Sequence, residues 1–94
     1  MGGDERVWHL TQRVRLDRSP GSTGGVLLDT TSATICSANE SAMDLLDILR
    51  HGADSHSLVD KLTSDYQVSR RRASADVDQF LRQLKSLRIV DGQD

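Results

Sequence analysis

Scarcity marks this 94-residue chain: it has one cysteine, one proline, and a single tryptophan, tyrosine and phenylalanine. A lone Cys36 excludes an internal disulfide, so nothing covalent staples the fold and a reducing compartment is the simpler setting. No run approaches the roughly 20 apolar residues a membrane helix needs. The opening Met1-Gly2-Gly3-Asp4-Glu5-Arg6 lacks the apolar stretch of a secretion signal, and Arg6 stands where a myristoylation signal wants Ser or Thr. The expectation is a cytoplasmic protein without membrane contact. Charge of one sign is equally scarce. Twelve Lys and Arg against 14 Asp and Glu leave a net charge of −2, which gives no global attraction to nucleic acid or an anionic bilayer.

Catalytic and metal-binding patterns are missing too. His9, His51 and His56 are scattered, with no pair at the i, i+4 spacing that sets two imidazoles on one helix face, so no metal is expected. Cys36 has no histidine near it in sequence and falls in a strand-like run, the setting of an inert, buried or half-buried thiol. The pairs Asp44/Asp47 and Asp76/Asp78 fall on helical stretches, where a solvated face is the ordinary role of a carboxylate. Gly24-Gly25 leads into a strand without the Lys-Ser/Thr of a phosphate loop. We therefore expect no catalytic residue, no cofactor and no enzymatic activity.

What the chain does have is an order. Strand-like runs come first and amphipathic helices last, and 94 residues support one core. Arg13-Val14-Arg15-Leu16-Asp17 alternates apolar and charged residues with period two, a strand with one wet face. Ser19 to Gly25 gathers the only proline and three glycines, the composition of a mobile loop. Val26-Leu27-Leu28 leads into the polar turn Asp29-Thr30-Thr31-Ser32, and Ala33-Thr34-Ile35-Cys36 returns as a third strand.

Asn39 caps a helix running to about Arg50, closed by His51-Gly52. Asp54 or Ser55 caps a short second helix carrying Leu58, Val59, Leu62 and Tyr66. Ser69 caps a third, whose Val77, Phe80, Leu81, Leu84 and Leu87 form a stripe expected to face the core. The fold class is thus α+β: a three-stranded antiparallel sheet followed by three helices, with residues 12–90 as one domain, 1–11 as an extended arm and 91–94 as a tail. Trp8 in the arm is expected to cover the domain's own flank, a partner contact being the other reading.

A sheet this small leaves an edge strand open to another chain, which points to a binding module. Two other readings stand beside it. Arg70-Arg71-Arg72, with Arg82, Lys85 and Arg88 on the same helix, would give a small winged-helix protein a surface for DNA, although Asp76 and Asp78 lie among these cations. Alternatively, the open edge pairs with a second copy.

Residues 25–90 resemble the PqqD-like peptide-binding domains, the RiPP recognition elements of ribosomal peptide natural-product pathways. The resemblance rests on Gly25-Val26-Leu27-Leu28-Asp29, Asn39, Gly52, Asp76-Val77, Phe80-Leu81, Leu84 and the closing Leu87-Arg88-Ile89-Val90. It departs from the family at Ala38, where leucine is common, and at Ala33, where glycine often stands. It implies a winged helix-turn-helix-like fold in which a precursor's leader peptide adds as a strand to the third strand. Carried onto this chain, the edge would be Ala33, Thr34, Ile35, Cys36 and Ser37. The facing wall would come from Asp76, Gln79, Phe80 and Gln83, with Phe80 and Leu84 in the floor. Among subfamilies the stand-alone leader-binding proteins of lasso-peptide pathways look closest, followed by those of pyrroloquinoline-quinone synthesis. The implied partners are a precursor leader and a leader peptidase or other modifying enzyme of the same pathway.

Overall fold

A computed structural model describes residues 6–19, 21 and 24–93. The elements run β1 (Val7–Leu10), β2 (Val14–Arg18), β3 (Gly25–Asp29), β4 (Thr34–Ala38), α1 (Glu40–His51), α2 (Ser55–Asp65), α3 (Arg70–Ser86) and β5 (Val90–Gln93). The expected three-stranded sheet is present as β2-β3-β4, antiparallel throughout, followed by the three expected helices. Part of the loop between β2 and β3 (Pro20, Ser22 and Thr23), the first five residues and Asp94 lie outside the described residues.

Period-two alternation sets the sheet's two faces. Leu16 pairs with Leu27 and Leu27 with Cys36, all turned toward the helices, while Arg15, Leu28 and Ile35 form the outer row. The core sits between Leu27 and the helices, where Met43, Leu46, Leu49, Leu58 and Val77 are buried. Removing such a side chain, as in Leu49→Ala, would cost about 2–5 kcal/mol.

Each helix begins as its sequence dictates. The side chains of Asn39, Asp54 and Ser69 accept the amides of Ala42 (2.9 Å), Ser57 (2.8 Å) and Arg72 (3.1 Å). The end of α3 is less ordinary. Ile89 N–H donates to the Leu84 carbonyl at 3.2 Å and Arg88 N–H to that of Lys85 at 3.0 Å, a Schellman pair that buries Ile89 beside Leu84. The residue turning the chain is Arg88, at φ 60°, where glycine is usual. This reversal separates Leu87 from the core. The buried stripe is Ala73, Val77, Leu81 and Leu84, and Leu87 is 41% exposed, contrary to the expectation that it faces inward.

Two further features differ from the sequence reading. Ala33 lies in the turn before β4, at φ 57°, so the strand starts at Thr34 and extends to Ala38. The arm and tail are strands: β1 and β5 pair antiparallel with Trp8 opposite Gly92, and Trp8 also exchanges backbone hydrogen bonds with Ala53 at 2.8 and 3.0 Å. A Cβ on Gly92 would fall 2.6 Å from the indole, so glycine here lets the ring lie across the strand. Lys85 Nζ sits 4.8 Å from the ring centroid and Arg6 Cζ 5.6 Å, cation–π contacts that hold Trp8 on the domain's own flank.

Gly52 serves the same clamp. It has φ 96°, and a Cβ would meet His9 Nε2 at 2.3 Å. Expected stabilities follow in opposite directions. Arg88→Gly and Ala33→Gly should each raise unfolding free energy by about 0.5–1 kcal/mol through relief of a left-handed backbone, whereas Gly52→Ala should lower it by at least about 2 kcal/mol. Urea denaturation of the three variants checks this.

Candidate functional site

Sheet order leaves β4 hydrogen-bonded to β3 on one side only, and the outer side of β2 is the other open edge. The two edges differ in chemistry. β2 reads Val-Arg-Leu-Asp-Arg, and charged side chains along an edge discourage strand addition. β4 reads Thr-Ile-Cys-Ser-Ala, with no charge, and Ile35 is 67% exposed. A row of amides and carbonyls is therefore accessible along β4 without an electrostatic guard.

Beside that edge lies a cleft of about 320 Å³ between β4, α1 and α3. Its lining is mostly apolar, with Leu27, Cys36, Ala38, Ala42, Leu46, Phe80, Leu84 and Leu87 joined by Ser37, Gln83 and Ser86. A second cleft of about 590 Å³ shares Ala42, Phe80 and Gln83 with it and continues past the end of β4, between the start of α1, the end of α2 and the middle of α3. The connection follows from helix geometry. Asp76, Phe80, Gln83 and Leu87 recur at intervals of four, three and four, so one exposed stripe of α3 walls both clefts.

Most of the residues anticipated from sequence gather here. Cys36, Ser37, Phe80, Gln83 and Leu84 line the first cleft, and Asp76, Gln79, Phe80 and Gln83 the second. Thr34 and Ile35 lie on β4 but line neither, Ile35 facing the outer side of the sheet. Ala33 is in the turn. Residues that the sequence reading did not assign to the site are Leu27, Ala38, Ala42, Leu46 and Leu87 in the first cleft, and Glu40, Leu45, Leu62, Tyr66 and Val68 in the second. The signal was the pair of alanines: Ala38 and Ala42 are small where α1 meets the sheet, and the volume their side chains do not fill is the cleft.

Ion pairs brace the walls. Arg18 at the end of β2 holds both Asp44, at 3.1 Å, and Asp47 of α1. Tyr66 Oη donates to Asp44 at 2.6 Å. Burial pushes the Asp44 carboxyl up, but the Tyr66 hydroxyl and the Arg18 guanidinium outweigh it and hold Asp44 below its ordinary range. The same contact drives the Tyr66 hydroxyl well up, so it stays a donor. At the end of β3, Asp29 is 4% exposed, bonded to Arg13 Nε at 3.1 Å and to the Thr31 amide at 3.0 Å. Burial opposes its ionisation, and the Thr31 amide with Arg13 reverses that, leaving it also below the ordinary range. Arg13 reaches on to the Arg88 carbonyl, tying the sheet to the end of α3.

A third hollow, of about 1,000 Å³, is on a different side of α3, between it and α2, and includes Arg70 and Arg71. None of the sheet strands lines it. Arg70 pairs with Asp60 at 2.8 Å and contacts His56, while along the helix Arg72 faces Asp76 at 3.7 Å and Arg82 binds Asp78 at 2.8 Å. Of the arginines the DNA reading relies on, Arg70, Arg72 and Arg82 each face a carboxylate, so this face is not a run of uncompensated cations of the kind phosphate binding favours. Among the described residues no group of three or more His, Cys, Asp or Glu side chains could hold a metal, and no helix is long and apolar enough to cross a membrane.

Comparison with known proteins agrees with this architecture. The family model for coenzyme PQQ synthesis protein D (PqqD) matches residues 24–90, and the chain belongs to that family. Among solved structures, TbiB1 in complex with the TbiA(beta) leader peptide superposes with a TM-score of 0.79 at 21% identity, covering 92% of this chain and 98% of that one. A lasso peptide synthetase B1 complexed with its leader peptide gives a TM-score of 0.75 at 25% identity, covering 89% and 96%. No curated protein matches.

The carboxylate environments set a pH dependence. Asp29 and Asp44 have lower pKa values folded than unfolded, where Asp titrates near 3.9. As pH falls, the unfolded chain takes up these protons first, so the stabilisation is complete above about pH 5 and is lost as pH drops through 4 toward the folded values. Unfolding free energies from urea titrations at pH 3 to 7 should show this decline, and Asp29→Asn should flatten it.

Proposed function

We propose that this protein is a non-catalytic recognition element that binds the leader segment of a ribosomally made precursor peptide as an added strand along β4. It then delivers the precursor to a leader peptidase or other modifying enzyme of the same pathway. The observation that carries this reading is the uncharged, open β4 edge directly beside an apolar cleft. Strand addition needs both parts: main-chain bonds supply affinity and alternate side chains entering the cleft supply selectivity. Family membership supports the reading. So does the likeness to two leader-bound structures over nearly the whole chain, and the lasso-peptide setting of one of them favours a leader peptidase as the downstream enzyme.

In this arrangement Thr34, Cys36 and Ser37 supply strand backbone, Phe80 and Leu84 a floor, and Gln79 and Gln83 the polar flank. Ala33 and Ile35 contribute position rather than contact with the cleft. A guest strand enclosing one or two apolar anchors would bury about 1,000 Å² or more and reach micromolar to nanomolar affinity.

Fluorescence polarisation with the leader of the precursor encoded beside this protein should give such a dissociation constant. Absence of binding up to about 100 μM would overturn the proposal. Phe80→Ala should weaken binding about tenfold, equivalent to ~1.4 kcal/mol, without loss of helical circular dichroism. Saturating leader should also protect Cys36, which lines the cleft and is half-buried, from alkylation.

A further inference from the structure

The second cleft differs from the first in its charge. Its floor is apolar, with Leu45, Leu62, Val68 and Phe80, but its rim carries the carboxylates of Glu40 and Asp76, and no lysine, arginine or histidine lines it. Glu40 is exposed and has no ion pair among the described residues. Asp76 has only Arg72 at 3.7 Å, both side chains more than half exposed, an arrangement worth little. Arg18 is held by Asp44 and Asp47, and Lys61 by Asp65. Tyr66, in the wall, registers the resulting field. Its hydroxyl is driven up first by the Asp44 carboxylate it donates to and by burial, and further by Glu40 and Asp65.

Position makes this charge relevant to the peptide. β4 ends at Ala38, Asn39 and Glu40 follow directly, and the two clefts meet at Ala42, Phe80 and Gln83. A guest strand lying along β4 that continues past Ala38 therefore leaves an apolar channel and enters one with a negative rim.

We propose that the leader is selected for a lysine or arginine that passes the end of β4, lays its methylenes on the floor of the second cleft and seats its charge between Glu40 and Asp76. Such a side chain satisfies both halves of the site, since its stem is apolar and only its head is charged. Glu40 and Asp76 are then specificity determinants. This inference rests on strand addition to β4 and adds the chemistry of one guest residue.

The test is polarisation binding with the neighbouring precursor's leader and variants in which each Lys or Arg in turn becomes Glu. One position should weaken binding about tenfold on reversal. Glu40→Lys or Asp76→Lys should recover most of that loss for the reversed peptide while weakening the original. Glu40→Gln and Asp76→Asn should weaken the original three- to fivefold with unchanged thermal melts, and all these differences should shrink below twofold in 1 M salt. A leader without Lys or Arg, or one that binds with no position sensitive to reversal, overturns this assignment and leaves strand addition standing. A leader that does not bind at all overturns both.

Discussion

A β-strand bonded along one flank has its other row of peptide groups committed to water, and everything distinctive about this protein follows from where that strand is and what flanks it. β4 is uncharged and short, and it sits on a sheet of only three strands, so its free amides and carbonyls remain satisfied by solvent until another backbone replaces it. The exchange of water for peptide gains only about 0.5–1.5 kcal/mol per hydrogen bond, since one set of hydrogen bonds replaces another. Main-chain affinity is therefore modest, and side chains buried in the adjoining apolar cleft add to it as well as supplying selectivity.

Keeping that edge in place falls to contacts on all sides. Asn39 starts α1 immediately after β4, so the cleft wall and the edge share one chain reversal. Arg18 fixes the far end of β2 to α1, while Arg13 links the end of β3 to the end of α3 through Asp29 and the Arg88 carbonyl. The wall provided by α3 is thus tied to the sheet by charge as well as by packing. Preorganisation of this kind limits the ordering cost that a bound peptide must offset.

Much of this was legible in residues alone. Alternation in Arg13–Asp17 and the caps Asn39, Asp54 and Ser69 are local signals, and the structure places strands and helices where they point. The small sheet implied an open edge, and its residues, Ala33 to Ser37, came from the family resemblance. What escaped notice was non-local or depended on absence. Asp91-Gly92-Gln93 has no apolar alternation, and it becomes a strand because Trp8, more than 80 residues earlier, covers Gly92. Periodicity placed Leu87 in the core stripe, but the reversal at Arg88, a residue type with no preference for positive φ, turns it outward. The only mark of the first cleft in sequence is the pair Ala38 and Ala42, whose small side chains leave it open, and Ala38 does not line the second.

The β1–β5 ladder carries one more implication. Val7 and Gln93 are cross-strand partners, so the two extremities of the described chain leave the molecule at a single corner, on a ribbon separate from the three-stranded sheet. A body docked at that corner would meet both strands of the ribbon at once.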